Sequence, residues 1–198
     1  MISAIILAAG ESRRMGEPKM LLKWGNATIL EHVISVFANA GIEDILVVTG
    51  SVREQIEQIV SAAGEIYPVR SVYNKDFSDG EMLSSLQCGL QDLTGKGFGA
   101  AMIGLGDQPQ VQAGTVQLIR DAFVLAGKPI VVPSYQMRRG HPWLVANKFW
   151  PELLSMNPLQ TPRNFLSTHS AQIHYVNIDN PSVLVDVDTP QDYQNTHP

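Results

Sequence analysis

The chain has 198 residues, 44% of them hydrophobic and 17% charged, and a formal net charge of -5 at pH 7. That composition belongs to an ordered globular protein long enough to bury a real core, and it excludes intrinsic disorder and general nucleic-acid binding. The single cysteine, Cys88, excludes an internal disulfide and any cysteine-based metal cluster.

The first apolar run, Met1 to Leu7, has the length of a buried strand and is too short to cross a bilayer. It lacks the basic n-region and small-residue cleavage site of a secretory signal, so a cytoplasmic location without membrane association is expected. The run ends in Ala8-Ala9-Gly10 and then turns cationic at Arg13, Arg14 and Lys19. A strand that empties into such a loop can aim backbone N–H groups at phosphate oxygens while the side chains neutralise them; a solvated basic turn is the plainer alternative. The loop is not a Walker A loop, because five residues separate Gly10 from Gly16 and Lys19 comes three later. It is not the dinucleotide fingerprint either, since Ser12 and Arg13 stand where the second glycine would fall.

Thr28 and Glu31 form a capping-box pattern ahead of Ile29, Leu30, Val33, Ile34 and Phe37, a helical face that ends at Gly41. Ile45 to Val48 reads as a buried strand. Ser51 and Glu54 repeat the capping pattern for a helix through Ile56, Ile59 and Val60 to Gly64, and Val69 to Tyr73 is the next strand. This alternation predicts a Rossmann-like three-layer α/β/α fold with a mostly parallel sheet, as one domain over residues 1–198. Ligands in such sheets bind outside the carboxyl ends of the strands.

Asp79-Gly80 leads into a helix whose first turns carry Ser84 and Ser85, small hydroxyls that can cap the helix or meet a base edge. Ala100 to Leu105 is a strand ending in Gly106-Asp107-Gln108-Pro109. A carboxylate there suits Mg²⁺, which needs one or two protein carboxylates plus phosphate oxygens; an Asp in a turn before proline is the alternative. Gly114 to Ala126 reads as a helix and Ile130 to Val132 as a strand. Arg138, Arg139 and His141 follow in a turn fixed by Gly140 and Pro142, a second anion-attracting surface or an ordinary surface turn. Lys148 to Leu154 and Arg163 to Leu166 read as short helices, the latter with Thr161 as cap and Pro162 in its first turn. Ile173 to Ile178 and Val183 to Val187 read as strands, and Thr189-Pro190 starts the last helix. Asp186 and Asp188 fall on one side of an extended segment, where either reaches an ion near Asp107, or both are helix-start carboxylates. The five histidines show no i, i+4 pair, so no zinc set is expected.

The run L-A-A-G-x-S-x-R-M-G-x-P-K-x-L-L, Leu7 to Leu22, resembles the signature of the nucleotidyltransferase family that contains the molybdenum cofactor cytidylyltransferases and guanylyltransferases. Ala9 matches the cytidylyl branch, where the guanylyl branch carries a second glycine. G-D-x-P, R-G-H-P and D-[IV]-D-T-P-x-D continue the likeness, while Gln136-Met137 replaces a glycine expected near Tyr135. The resemblance implies a nucleotide-diphospho-sugar transferase-like fold and transfer of CMP from CTP to the phosphate of a molybdopterin-type cofactor, releasing pyrophosphate. By the same resemblance, Leu7, Ala8, Ala9 and Gly10 hold the nucleotide and Arg14 and Lys19 clamp its phosphates. Gly80, Ser84 and Ser85 lie against the base. Asp107 and Asp188 hold Mg²⁺, with Asp186 in reserve, and Arg139 and His141 bind the acceptor. A molybdoenzyme would receive the product. Three alternatives stay open: a guanylyltransferase, a cytidylyl or uridylyl transferase for another phosphorylated small molecule, and a non-catalytic cofactor carrier.

Overall fold

The computed structural model describes residues 1–78 and 81–198. The opening apolar run is strand β1 (Ile2–Ala8), whose side chains alternate between two apolar layers: Ala4, Ile6 and Ala8 enter one, Ile5 and Leu7 the other. A strand buried on both faces reads as a continuous apolar run, and that is why no polar alternation marks it. After the cationic loop come a two-stranded ribbon, β2 (Lys23–Trp24) and β3 (Ala27–Thr28), and then helix α1 (Ile29–Asn39). The capping box at its start is complete: the Thr28 hydroxyl accepts from Glu31 N at 3.2 Å, and Thr28 N donates to the Glu31 carboxylate at 2.6 Å. Thr28→Ala should therefore lower stability by about 1 kcal/mol, a fall of about 2–4 °C in Tm for a chain of this size, readable in a thermal scan.

Strand β4 (Ile45–Thr49), helix α2 (Arg53–Ala63), strand β5 (Val69–Tyr73), helix α3 (Glu81–Leu93), strand β6 (Ala100–Leu105) and helix α4 (Ala113–Ala126) continue the alternation. Ser51 does not cap α2, contrary to the sequence pattern. Val52 occupies that position without a side-chain bond, and the Ser51 hydroxyl donates to Gly10 O at 2.9 Å, so the loop after β1 takes the group the helix was expected to use. The chain returns as β7 (Ile130–Tyr135) and turns through Gln136 and Met137, both at positive φ, into β8 (Arg138–Arg139). It then runs back as β9 (Trp143–Ala146). A two-residue hairpin turn demands positive φ, and here it is met without glycine. Helices α5 (Trp150–Ser155) and α6 (Pro162–Thr168), strand β10 (Ile173–Asn177) and helix α7 (Pro190–Thr196) complete the chain. The strand expected over Val183 to Val187 is absent: Pro181–Leu184 form a 3₁₀ turn, and the residues after it run irregularly to the Thr189 cap of α7.

The sheet order is β10-β7-β9-β6-β1-β4-β5, with β8 paired to β7. β6, β1, β4 and β5 are mutually parallel, and β7 is parallel to β10. Only β8 and β9 run against their neighbours. Helices α1, α2 and α4 cover one face and α3, α5 and α6 the other, giving the expected three layers with a mostly parallel sheet. The carboxyl ends of β1, β6 and β7 consequently lie along one rim. No helix among the described residues is long and apolar enough to cross a membrane.

Candidate active site

The loop leaving β1 is held from three sides. Leu7 O accepts from Gly106 N at 3.0 Å, and Ala9 O accepts from Ser51 N at 3.2 Å. At Gly50 a Cβ would lie 2.3 Å from Ala9 O, so the turn after β4 approaches this close only because the residue is glycine. Further along, Ser12 takes a left-handed conformation; its carbonyl accepts from Met15 N and Gly16 N, and its hydroxyl accepts from Lys19 N at 3.2 Å. Met15 is buried with Trp24, Ile29 and Val187, so an apolar anchor fixes the middle of a cationic loop. Arg13 turns aside to pair with Glu11, while Arg14 faces Asp188 and Lys19 faces both Asp107 and Asp188.

Lys19 is buried, with 8% of its surface exposed, and its ammonium lies 2.5 Å from Asp107 Oδ2 and 2.8 Å from Asp188 Oδ1. Arg14 reaches the other oxygen of Asp188 at 2.7 Å from the exposed side. Burial alone would lower the Lys19 pKa, but Asp107 and Asp188 outweigh it and raise the value, so the ammonium stays charged. Val187 N donates to Asp107 O at 2.9 Å, lacing the two acidic segments together by their backbones. Residues 19, 107 and 188, far apart in the chain, thus meet at one point. Asp186 separates from Asp188: its carboxylate accepts from Gln108 Nε2 at 2.7 Å, and burial, then the charges of Asp107 and Asp188, push its pKa up.

Asp107 and Asp188 present hard oxygen donors that both close on the Lys19 ammonium. Among the described residues no group of three or more His, Cys, Asp or Glu closes on a metal position. A pair of carboxylates with no further protein ligand suits an ion of the magnesium or manganese kind, which completes its shell with phosphate oxygens and water. The residues present fit such an ion.

Other expected positions lie along the same rim. Asn74, just past β5, donates to Ser84 Oγ at 3.0 Å and Ser85 Oγ at 3.1 Å, tying the start of α3 to the strand end; Gly80 is outside the described residues. Cys88 is half-buried against the core, and burial raises its thiol pKa, as suits a packing residue. Arg139 donates to Tyr175 Oη at 2.9 Å and Ser167 Oγ at 3.3 Å, so it faces β10 and α6. Arg138 and Arg139 form a short strand where a turn was expected, and His141 does not join them as a cation. Burial first, and then the nearby Arg163, lower its pKa to about 4. An imidazole that is neutral in the fold but titrates near 6.5 when unfolded leaves stability untouched above that pH, with the loss growing as pH falls from about 6.5 toward 4. His141→Gln should flatten that part of the curve of Tm against pH, and parallel curves for the two proteins would count against a buried neutral imidazole.

Four features of the rim escaped the sequence reading. Gln108 was legible only as a neighbour of Asp107. Ser51 reads from sequence as a helix cap, and Gly50 beside it carries no local signal. Arg163 was read as an ordinary helix residue, although Thr161-Pro162 fixes where it starts. Asp192, the third acid of its motif, accepts from Thr189 N at 2.8 Å and Asp188 N at 3.3 Å, so it sets the backbone that carries Asp188.

A fold with this topology and a cationic loop closed on Asp107 after β6 and Asp188 before α7 defines a nucleoside triphosphate transferase class, and family comparison agrees. The chain belongs to the MobA-like NTP transferase domain family, whose model matches residues 4–173. It is 30% identical over 196 residues to the molybdenum cofactor cytidylyltransferase of Escherichia coli K12, spanning 97% of this chain and 93% of that protein. A probable molybdenum cofactor guanylyltransferase of Bacillus mycoides is 38% identical over 58 residues, 29% of each chain. The crystal structure of Rv0371c from Mycobacterium tuberculosis superposes with a TM-score of 0.83 at 26% identity, covering 99% of this chain and 96% of that one. Its manganese complex gives 0.77 at 26% identity, over 99% and 97%. The fold is that of the nucleotide-diphospho-sugar transferases.

Proposed function

We propose that the whole chain acts as one nucleotidyltransferase domain that moves CMP from CTP to the phosphate of a molybdopterin-type cofactor, releasing pyrophosphate. The observation that carries this reading is the meeting of Lys19, from the loop after β1, with Asp107 and Asp188 at the carboxyl rim of the sheet. The near full-length likeness to a cytidylyltransferase supports CTP and this acceptor, where the guanylyltransferase likeness spans a short segment.

The acceptor phosphate attacks the α-phosphorus in line. A phosphomonoester with a second pKa of about 6 is mostly dianionic at neutral pH, so no general base is required. Catalysis then consists of positioning and charge stabilisation. The backbone from Leu7 to Gly10 holds the nucleotide, while Arg14 and Lys19 draw its β and γ phosphates into line. Ser84 and Ser85, held by Asn74, face the base. Asp107 and Asp188 hold Mg²⁺, which when bound offsets negative charge on the triphosphate. Arg139 and His141 receive the acceptor, with the imidazole acting as a neutral hydrogen-bonding group. The reaction belongs in the cytoplasm, with a molybdoenzyme taking the product.

The test is thermal protection by each of the four ribonucleoside triphosphates, with and without Mg²⁺, followed by pyrophosphate release with the favoured one and extracted molybdopterin cofactor. CTP with Mg²⁺ should protect most and turn over. Protection by GTP alone would move the protein to the guanylyl branch, and cofactor binding without turnover under any nucleotide would make it a carrier.

A further inference from the structure

We propose that Lys19 guards the metal position, occupying the carboxylate oxygens until a triphosphate draws it away, so that free divalent cations are refused and the metal enters only with nucleotide. This rests on the reading of Asp107 and Asp188 as metal ligands. The ammonium touches Asp107 Oδ2 and Asp188 Oδ1, while Arg14 takes Asp188 Oδ2. Two carboxylates therefore already meet two cations, and Asp186, the third acid nearby, is turned onto the Gln108 amide. A dication approaching this centre meets no net attraction from the pair and direct repulsion from a buried ammonium.

Lys19 cannot leave for solvent at little cost. Its surface is almost wholly covered, its backbone N–H is fixed to the Ser12 hydroxyl, and Met20 beside it is buried. A charged group with so little exposure moves only toward another anion. The oxygens of a triphosphate arriving at the same loop supply one, and the carboxylate oxygens it releases then face the incoming metal. Nucleotide and metal thus favour each other through a side chain as well as through direct contact, a coupling that is reciprocal. The same contact explains how one lysine serves two partners: it neutralises the acids before nucleotide arrives and the phosphates afterwards.

The experiment measures Mn²⁺ binding to the full chain without nucleotide, by the electron paramagnetic resonance signal of free Mn²⁺. Lys19→Met should bind Mn²⁺ about tenfold tighter than the parent, or better, although it loses turnover, because a repelling charge within contact distance is removed. Equal or weaker binding in a folded Lys19→Met protein overturns the guarding role. A second measurement reads the parent protein itself: in the chain labelled with ¹³C at the lysine ε-carbons, the Lys19 resonance, assigned by its absence in the conservative variant Lys19→Arg, should ignore Mg²⁺ alone. It should shift when Mg²⁺ is added with a non-hydrolysable CTP analogue, and a shift with Mg²⁺ alone refutes the proposal. Asp107→Asn separates the two levels of the argument. If it leaves Mn²⁺ affinity in the presence of the CTP analogue unchanged, the metal-ligand reading itself fails; if it lowers that affinity while Lys19→Met gains nothing, only the guarding role fails.

Discussion

Replacing Asp107 with alanine is expected to lower pyrophosphate release by about 1,000-fold, the scale seen when a preorganised electrostatic partner of a reacting group is removed. The fold should survive. The lacing of the two acidic segments uses the Asp107 carbonyl, which alanine keeps, and Lys19 retains Asp188 as a partner, so no buried cation is stranded. Circular dichroism and a thermal scan should therefore match the parent closely while turnover collapses. A rate near that of the parent with Mg²⁺ present would remove Asp107 from the chemistry.

The second large effect is structural in origin and functional in outcome. In Gly50→Ala the new methyl carbon would sit 2.3 Å from Ala9 O and 2.7 Å from Ala9 Cβ, distances that no packing tolerates. Either the turn after β4 or the nucleotide loop must give way, and overpacking of this sort costs about 2 kcal/mol, or about 4–8 °C in Tm for a protein of this size. Because the atoms displaced belong to the proposed nucleotide-holding backbone, CTP protection should weaken about tenfold in the concentration needed, as expected for a misplaced contact worth about 1.4 kcal/mol. Unchanged Tm and unchanged protection together would show that the loop yields freely there.

Strands β1, β4, β5, β6, β7 and β10 and most helices were legible because each rests on a local rule, while the short strands β2, β3, β8 and β9 carry no pattern long enough to mark them. Apolar runs of strand length, Thr28 with Glu31, and Thr161 with Pro162 all describe neighbours in the chain, and the structure places β1, α1 and α6 accordingly. Asp107 and Asp188 were legible as acids at element boundaries. Their partners were not, since contact with Lys19 is a tertiary fact and the loop's curvature depends on Ser12 in a left-handed conformation that its residue type does not announce. The failures share a cause. Ser51 obeys the capping rule yet bonds to Gly10 across the fold, and Val183 to Val187 looks apolar enough for a strand yet serves as a strap between the His141 turn and Asp107. In both, a distant backbone group competes with the local pattern and wins. His141 fails differently: the sequence gives its identity, while its charge depends on burial and on Arg163.

The reversed strand β9 has a consequence for reach. It lies between β6 and β7, so those two strands stand about 10 Å apart, twice the spacing of adjacent strands. The strand works as a fixed ruler between the two halves of the rim, and its gauge is set by backbone hydrogen bonds that side-chain replacement leaves intact. Loops at the rim can therefore be recast by evolution or design while the separation of β6 from β7 stays constant.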